Sequence, residues 1–251
     1  MNLSNTSIPS RSYWFVVARQ LRQEPVAMAS AVVLLLIICA AVFAPWLAPA
    51  DPFKASMLKR LLPIGSSGYW LGTDELGRDM VTRLMYGGRL SLLMGVVPVF
   101  AAFFIGTSIG LFAGYVGGRV NMVIMRVLDV FYAFPSVLLA VAISGALGPG
   151  MSNSLLALTL VFVPQVVRVA ESVTTQVRKL DYIEAARMSG ASSFSIIRVH
   201  VLGNVLGPVF VYATGLLSVS MILASGLSFL GLGVKPPEPE WGLMLNTLRS
   251  A

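Results

Sequence analysis

One cysteine and one histidine in 251 residues exclude several chemistries at once. Cys39 sits inside an apolar run, so neither a disulfide framework nor a cysteine-ligated metal cluster can be built. With His200 as the single imidazole, a metal site of ordinary kind is not expected, and no Ser–His pair is available within a membrane. Charge is scarce too: Asp, Glu, Lys and Arg make up 12% of the chain, against about 25% in soluble domains. Nothing resembles the GxxxxGK[ST] loop that cradles nucleotide phosphates. The sequence therefore contains no catalytic constellation, no metal site and no ATP site of its own.

What is present is hydrophobicity, at 56% of residues with a mean hydropathy of +0.81. A helix needs about 20 apolar residues to cross a bilayer, and the apolar runs predict an all-α, polytopic transmembrane bundle with five spans. These are placed at 25–50, 90–118, 121–147, 154–167 (extending towards Ala170) and 206–232. Residues 25–251 then form one membrane domain behind a polar segment, 1–24. That segment is not a cleavable signal, because the apolar run after it is long enough to span. Its Arg11, Arg19 and Arg22 face one acid, Glu24, which places the N-terminus in the cytoplasm. By parity, loop 51–89 and tail 233–251 lie outside, and loop 171–204 lies in the cytoplasm. The net charge of +7 is read as basic residues meeting anionic lipid headgroups rather than nucleic acid.

Five groups of residues draw attention. Gly106, Gly110 and Gly114 recur at four-residue spacing and share a helix face, a pattern that lets another helix approach closely; glycine is also simply common in membrane helices. Arg126 and Asp129, three apart, can pair on one face. An intramembrane acid is a functional-site candidate by default, and a structural ion pair at the interface is the alternative. Asp74, Glu75, Arg78 and Asp79 crowd a short outer stretch. Paired carboxylates can do acid–base work, but without a nucleophile or imidazole a salt-bridged lid is the better reading. "VKPPEPEW" (234–241) reads as a semi-rigid external loop with Trp241 as an interfacial anchor.

The fifth group is "DYIEAARMSGASSFSIIRVH" (181–200), too charged for lipid and too apolar for a wet loop. Helix formers and a Glu184–Arg187 pair predict a short helix stopped at Gly190. Ser192 or Ser193 then caps a second helix. The expected result is a helix-turn-helix across the cytoplasmic ends of the spans. Ala185 and Ala186 would let a partner come close, while Phe194, Ile196 and Ile197 offer an apolar anchor. Docking of a soluble partner and rest on lipid as an amphipathic helix are the two readings.

These residues carry a resemblance. "EAARMSG" followed by "IIRVHVLGNVLGP" resembles the cytoplasmic EAA loop of ABC importer membrane subunits, with Glu184, Ala185, Ala186 and Gly190 at matching positions. Gly203 stands where that pattern usually has proline. "LGTDELGRDMVTRLMYGGRLSL" (71–92), "RVLDVFYAFPSVLLA" (126–140) and "LSFLGLGVKPPEPEWGLML" (227–245) resemble the dipeptide, oligopeptide and nickel class of these permeases. The resemblance spans roughly residues 20–248. It implies a C-type permease subunit of a bacterial inner membrane, forming half of a pathway with a second permease subunit in a heterodimer. Two cytoplasmic ATPase subunits would hold ATP and Mg, with no cofactor on this chain, and an external binding protein would deliver substrate. Glu184, Ala185, Ala186, Arg187, Gly190 and Phe194 would couple to the ATPases. The family usually has a sixth span after the "EWG" block, where this chain shows five. Di- and oligopeptides are the expected substrate, since the spans hold no His or Cys cluster for a soft metal; nickel or another small solute is the alternative. From other classes, an ion-driven secondary transporter or an intramembrane hydrolase would need internal repeats and midplane charges, or a membrane Ser–His pair.

Overall fold

The computed structural model describes residues 22–249. The arginines at 11 and 19 lie outside the described residues. Within them the chain is helical, and the only β features are two isolated bridges, Ser66–Tyr69 and Thr73–Asp79.

Helix α1, Pro25–Val42, starts on a proline, whose missing N–H costs nothing in a first turn. It lies almost entirely on the outside of the bundle, with Ala41 alone of its residues buried. After a further helical turn, Ala44–Leu47, an irregular outer segment leads to α2, Met80–Val116. Asp79 caps α2, its carboxylate accepting from Thr82 N–H at 2.8 Å and Thr82 Oγ1 at 2.6 Å. The expected outer loop 51–89 is thus ten residues too long, because Arg83 and Arg89 lie inside the helix. Arg83 is tolerated there because its guanidinium meets Asp74 at 3.3 Å and donates to the carbonyls of Pro52 and Pro237.

The third expected span, 121–147, is not one rod. It divides into α3, Gly118–Tyr132, and α4, Ser136–Leu147, bent by 86°. Pro135 explains the break: it disfavours helical backbone at Phe134 and supplies no N–H to continue the ladder. Helix α5, Met151–Val177, runs well past the expected 154–167 and carries Arg168 and Glu171 within it. Helix α6, Asp181–Met188, precedes α7, Ser193–Ile196, which continues through a π-helical stretch, Ile197–Val201, into α8, Leu202–Phe229. The second helix of the expected helix-turn-helix is therefore the root of the last long helix rather than a separate piece. Among the described residues four helices are long and apolar enough to cross a membrane, or five with the bent pair taken as one span.

Packing centres on α2 and α5, with α8 against both. Phe162, Leu158 and Val166 of α5, Met94 of α2, and Val205 and Val209 of α8 are fully buried together. The glycines set the α2–α5 distance. A Cβ on Gly106 would stand 2.7 Å from Val166 Cβ, one on Gly110 2.5 Å from the Val167 carbonyl oxygen, and one on Gly114 2.7 Å from Thr174 Cβ.

The segment after α8 is not a free external tail. Helix α9, Trp241–Arg249, packs on α8 and α2. Trp241 covers Gly87 and Gly88 and donates Nε1–H to the Leu84 carbonyl at 3.0 Å, so it is held by the bundle instead of standing free as an interfacial anchor. Glu240, 1% exposed, accepts from the N–H groups of Gly242 and Leu243 at 2.9 Å and from Ser91 Oγ at 3.1 Å.

Candidate functional site

The segment between α5 and α8 is a short projection fixed at both ends. At its entry Arg178 donates to the carbonyls of Gly114 (3.3 Å) and Tyr115 (2.8 Å) at the end of α2. Ile183 and Ile196 are fully buried and root the two helices in the core. Between them the chain reverses at Gly190, φ +80°, with Ala191 N–H bonded to the Ala186 carbonyl and Gly190 N–H to that of Arg187. That pair of bonds is the Schellman closure, which needs a left-handed residue at this point. Ser192 then caps α7, its hydroxyl accepting from Ser195 N–H at 3.3 Å.

With the isoleucines inside, Glu184, Ala185, Gly190 and Phe194 face outwards, while Ala186 is half-buried. Phe194 is 73% exposed and Met188 89%. The expected apolar anchor thus separates: Ile196 holds the loop to its own bundle, and Phe194 is the group left free. Arg187 lies over the Tyr115 ring at 5.4 Å and does not pair with Glu184. Asn204 ties the projection to α8, donating to Tyr182 Oη at 3.2 Å.

A second polar group lies at the α3–α4 elbow. Asp129 is paired with Arg168 of α5 at 2.5 Å, and not with Arg126, which has no ion-pair partner among the described residues. The pairing across helices wins because α3 lays its Asp129 face on α5. Both side chains remain nearly half-exposed, at 45% and 46%. Arg168 also stacks over Tyr132 at 5.0 Å, and one turn earlier Gln165 accepts from Tyr212 Oη of α8 at 3.3 Å. Below them Glu171 accepts from Asn121 Nδ2 at 2.5 Å and Thr175 Oγ1 at 3.0 Å. A cavity of about 200 Å³ opens beside the elbow, lined by Tyr132, Ser136, Pro164 and Gln165 among others. Sequence reasoning passed over Arg168, Gln165, Tyr132 and Tyr212. Arg168 and Glu171 did carry a signal, as charges interrupting an apolar helix.

The outer cluster is an ion-paired knot with a different membership from that expected. Asp74 meets Arg78 at 2.7 Å and Arg83 at 3.3 Å, and its other oxygen accepts from the N–H groups of Leu76 and Arg78 at 2.9 Å. Asp79 is a helix cap, and Glu75 makes no ion pair among the described residues.

Residues 106–250, more than half of the chain and including both the projection and the elbow, match the family described as binding-protein-dependent transport system inner membrane component. The chain belongs to that family. Residues 12–63 of this permease component also match the N-terminal transmembrane domain of oligopeptide transport permease C. It is 40% identical over 242 residues to the glutathione transport system permease protein of Pectobacterium atrosepticum, covering 96% of this chain and 79% of that protein. The di/tripeptide transport system permease protein of Pseudomonas aeruginosa is 40% identical, with 96% and 80% covered. A probable D,D-dipeptide transport system permease protein of Escherichia coli is 39% identical, with 92% and 77% covered. Membership makes this permease component a multi-pass protein of an inner-membrane, binding-protein-dependent transport system, and a membrane subunit rather than an enzyme.

Proposed function

We propose that this chain is the C-type permease subunit of an ATP-driven importer of short peptides, and that the projection 178–200 carries ATPase motion into its helices. The single observation behind the second part is the division of that projection into a rooted side and a free side. Ile183 and Ile196 are buried, while Glu184, Ala185, Met188 and Phe194 are exposed. A short helix of this kind persists only when packed, and a partner groove would cover the free side. Because α7 runs without a break into α8, a sideways push on Phe194 is transmitted to a helix that crosses the bundle. In this reading Glu184, Ala185, Ala186, Arg187, Gly190 and Phe194 form the contact, with the two carbonyl-closed turns at Gly190 keeping its shape.

The relatives' names support peptides as the substrate, each being a carrier of glutathione or of di- or tripeptides. The complete machine would be a heterodimer with a second permease subunit, two cytoplasmic ATPase subunits that hold ATP and Mg, and a binding protein on the outer side. The N-terminus lies in the cytoplasm on this reading, and four crossings then bring the projection to the same side.

The test is co-purification of the four-subunit membrane complex, with peptide uptake and ATPase rate measured in proteoliposomes. Glu184→Arg and Gly190→Pro should insert in the membrane normally but lose the ATPase subunits, or hydrolyse ATP without uptake. Variants that retain the ATPases and transport at the unsubstituted rate would exclude the projection as the coupling element.

A further inference from the structure

The polar elbow is a strange thing to find where it is. Arg168 lies 17 residues along α5 from Met151, roughly 26 Å at 1.5 Å per residue, which on a ~30 Å hydrocarbon core reckoned from Met151 is towards the far end of the span. Val161, Pro164 and Gln165, which line the adjoining cavity, lie 10 to 14 residues from the same point, about 15–21 Å in and near the midplane. Charged side chains within a span pair with one another and face the bundle interior or a water-filled space rather than lipid. The Asp129–Arg168 pair is nevertheless almost half-exposed. The pair adjoins the cavity through Tyr132, over whose ring Arg168 lies and which lines the cavity together with Gln165, one turn earlier on α5.

Resting on the peptide-import reading, we propose that the elbow is a contact site for the charged ends of a peptide in transit. Arg168 receives the peptide carboxylate and Asp129 the peptide ammonium, each giving up its internal partner for an equivalent one on the solute. The exchange conserves charge pairing, so the pair opens without leaving an isolated charge in a low-dielectric site. Tyr132 and Gln165 supply a ring face and an amide, which hold a peptide bond without demanding a particular side chain. Such a site is selective for zwitterionic backbones and tolerant of sequence. It also lies at the bend of α3–α4, where a small rotation about Pro135 separates Asp129 from Arg168.

The test uses the assembled complex in proteoliposomes, with Cys39→Ala and Ser136→Cys placing one thiol at the cavity wall. Its labelling rate by a charged, water-soluble methanethiosulfonate is measured with and without a millimolar dipeptide, beside peptide uptake. The thiol should be labelled, the dipeptide should slow labelling at least threefold, and Arg168→Gln should abolish that protection and lower uptake about tenfold. No labelling by the charged reagent would mean that the cavity faces lipid or protein, and would overturn the inference. Labelling without protection, or protection unchanged in Arg168→Gln, would overturn it while leaving peptide import intact. Absence of peptide uptake by the unsubstituted complex would remove the import reading itself, and this site with it.

Discussion

Adding one methyl group to Gly110 should be far costlier than adding it elsewhere on the same bundle. The new Cβ would lie 2.5 Å from the Val167 carbonyl oxygen, 2.6 Å from Ala170 Cβ and 2.9 Å from Glu171 N. Two of these are backbone atoms of α5, which cannot turn aside as a flexible side chain would. Ordinary contact therefore requires α2 and α5 to part by roughly 1 Å, a gap that already forfeits a quarter to a half of each dispersion well along the seam. Overpacking of this kind costs about 1–3 kcal/mol. Against it stands a gain of about 1 kcal/mol from replacing a helical glycine by alanine. Gly215 of α8 provides the control, since a Cβ there meets nothing within 4 Å. Both variants take the gain and only Gly110→Ala meets the clash, leaving the two about 1–3 kcal/mol apart. The assay is reversible unfolding of the detergent-solubilised chain in SDS, followed by tryptophan fluorescence. Equal midpoints for the two variants would refute the close α2–α5 seam.

Asp74→Ala should strand Arg78 and Arg83, both under 10% exposed in their side chains. Breaking a buried pair from one side costs about 3–5 kcal/mol, read as faster limited proteolysis of 51–79, whereas an unchanged cleavage rate would mean the knot is not structural. Glu240→Ala removes the acceptor of two backbone N–H groups and of Ser91. A cap is worth about 0.5–2 kcal/mol, so hydrogen exchange over 241–249 should rise several-fold and rise less in Glu240→Gln; equal exchange in all three would show that α9 is held by Trp241 alone. Phe194→Ala, at a side chain that stands clear of the core, should leave the unfolding midpoint unmoved while lowering ATP-coupled uptake.

Much of this protein was legible in its sequence because lipid imposes so blunt a rule. Apolar length alone marked α1, α2, α5 and α8, and the four-residue glycine spacing marked the face on which α2 meets α5. The turn at Gly190 and the cap at Ser192 were equally readable, since both are local backbone chemistry decided within a few residues. The tertiary structure decided whatever depends on a distant partner. Helix α2 begins at Met80 because Asp79 caps it while Asp74 and two remote carbonyls hold Arg83, so charge in the sequence does not mark the start of the helix. Hydropathy runs smoothly through 121–147 while the chain turns by 86°, because an apolar run fixes solvent and not direction. Asp129 had a plausible mate three residues away and takes one 39 residues away instead. Composition marked the charges in these helices as candidates for pairing, and only the packing of α3 on α5 decided that Asp129 pairs with Arg168.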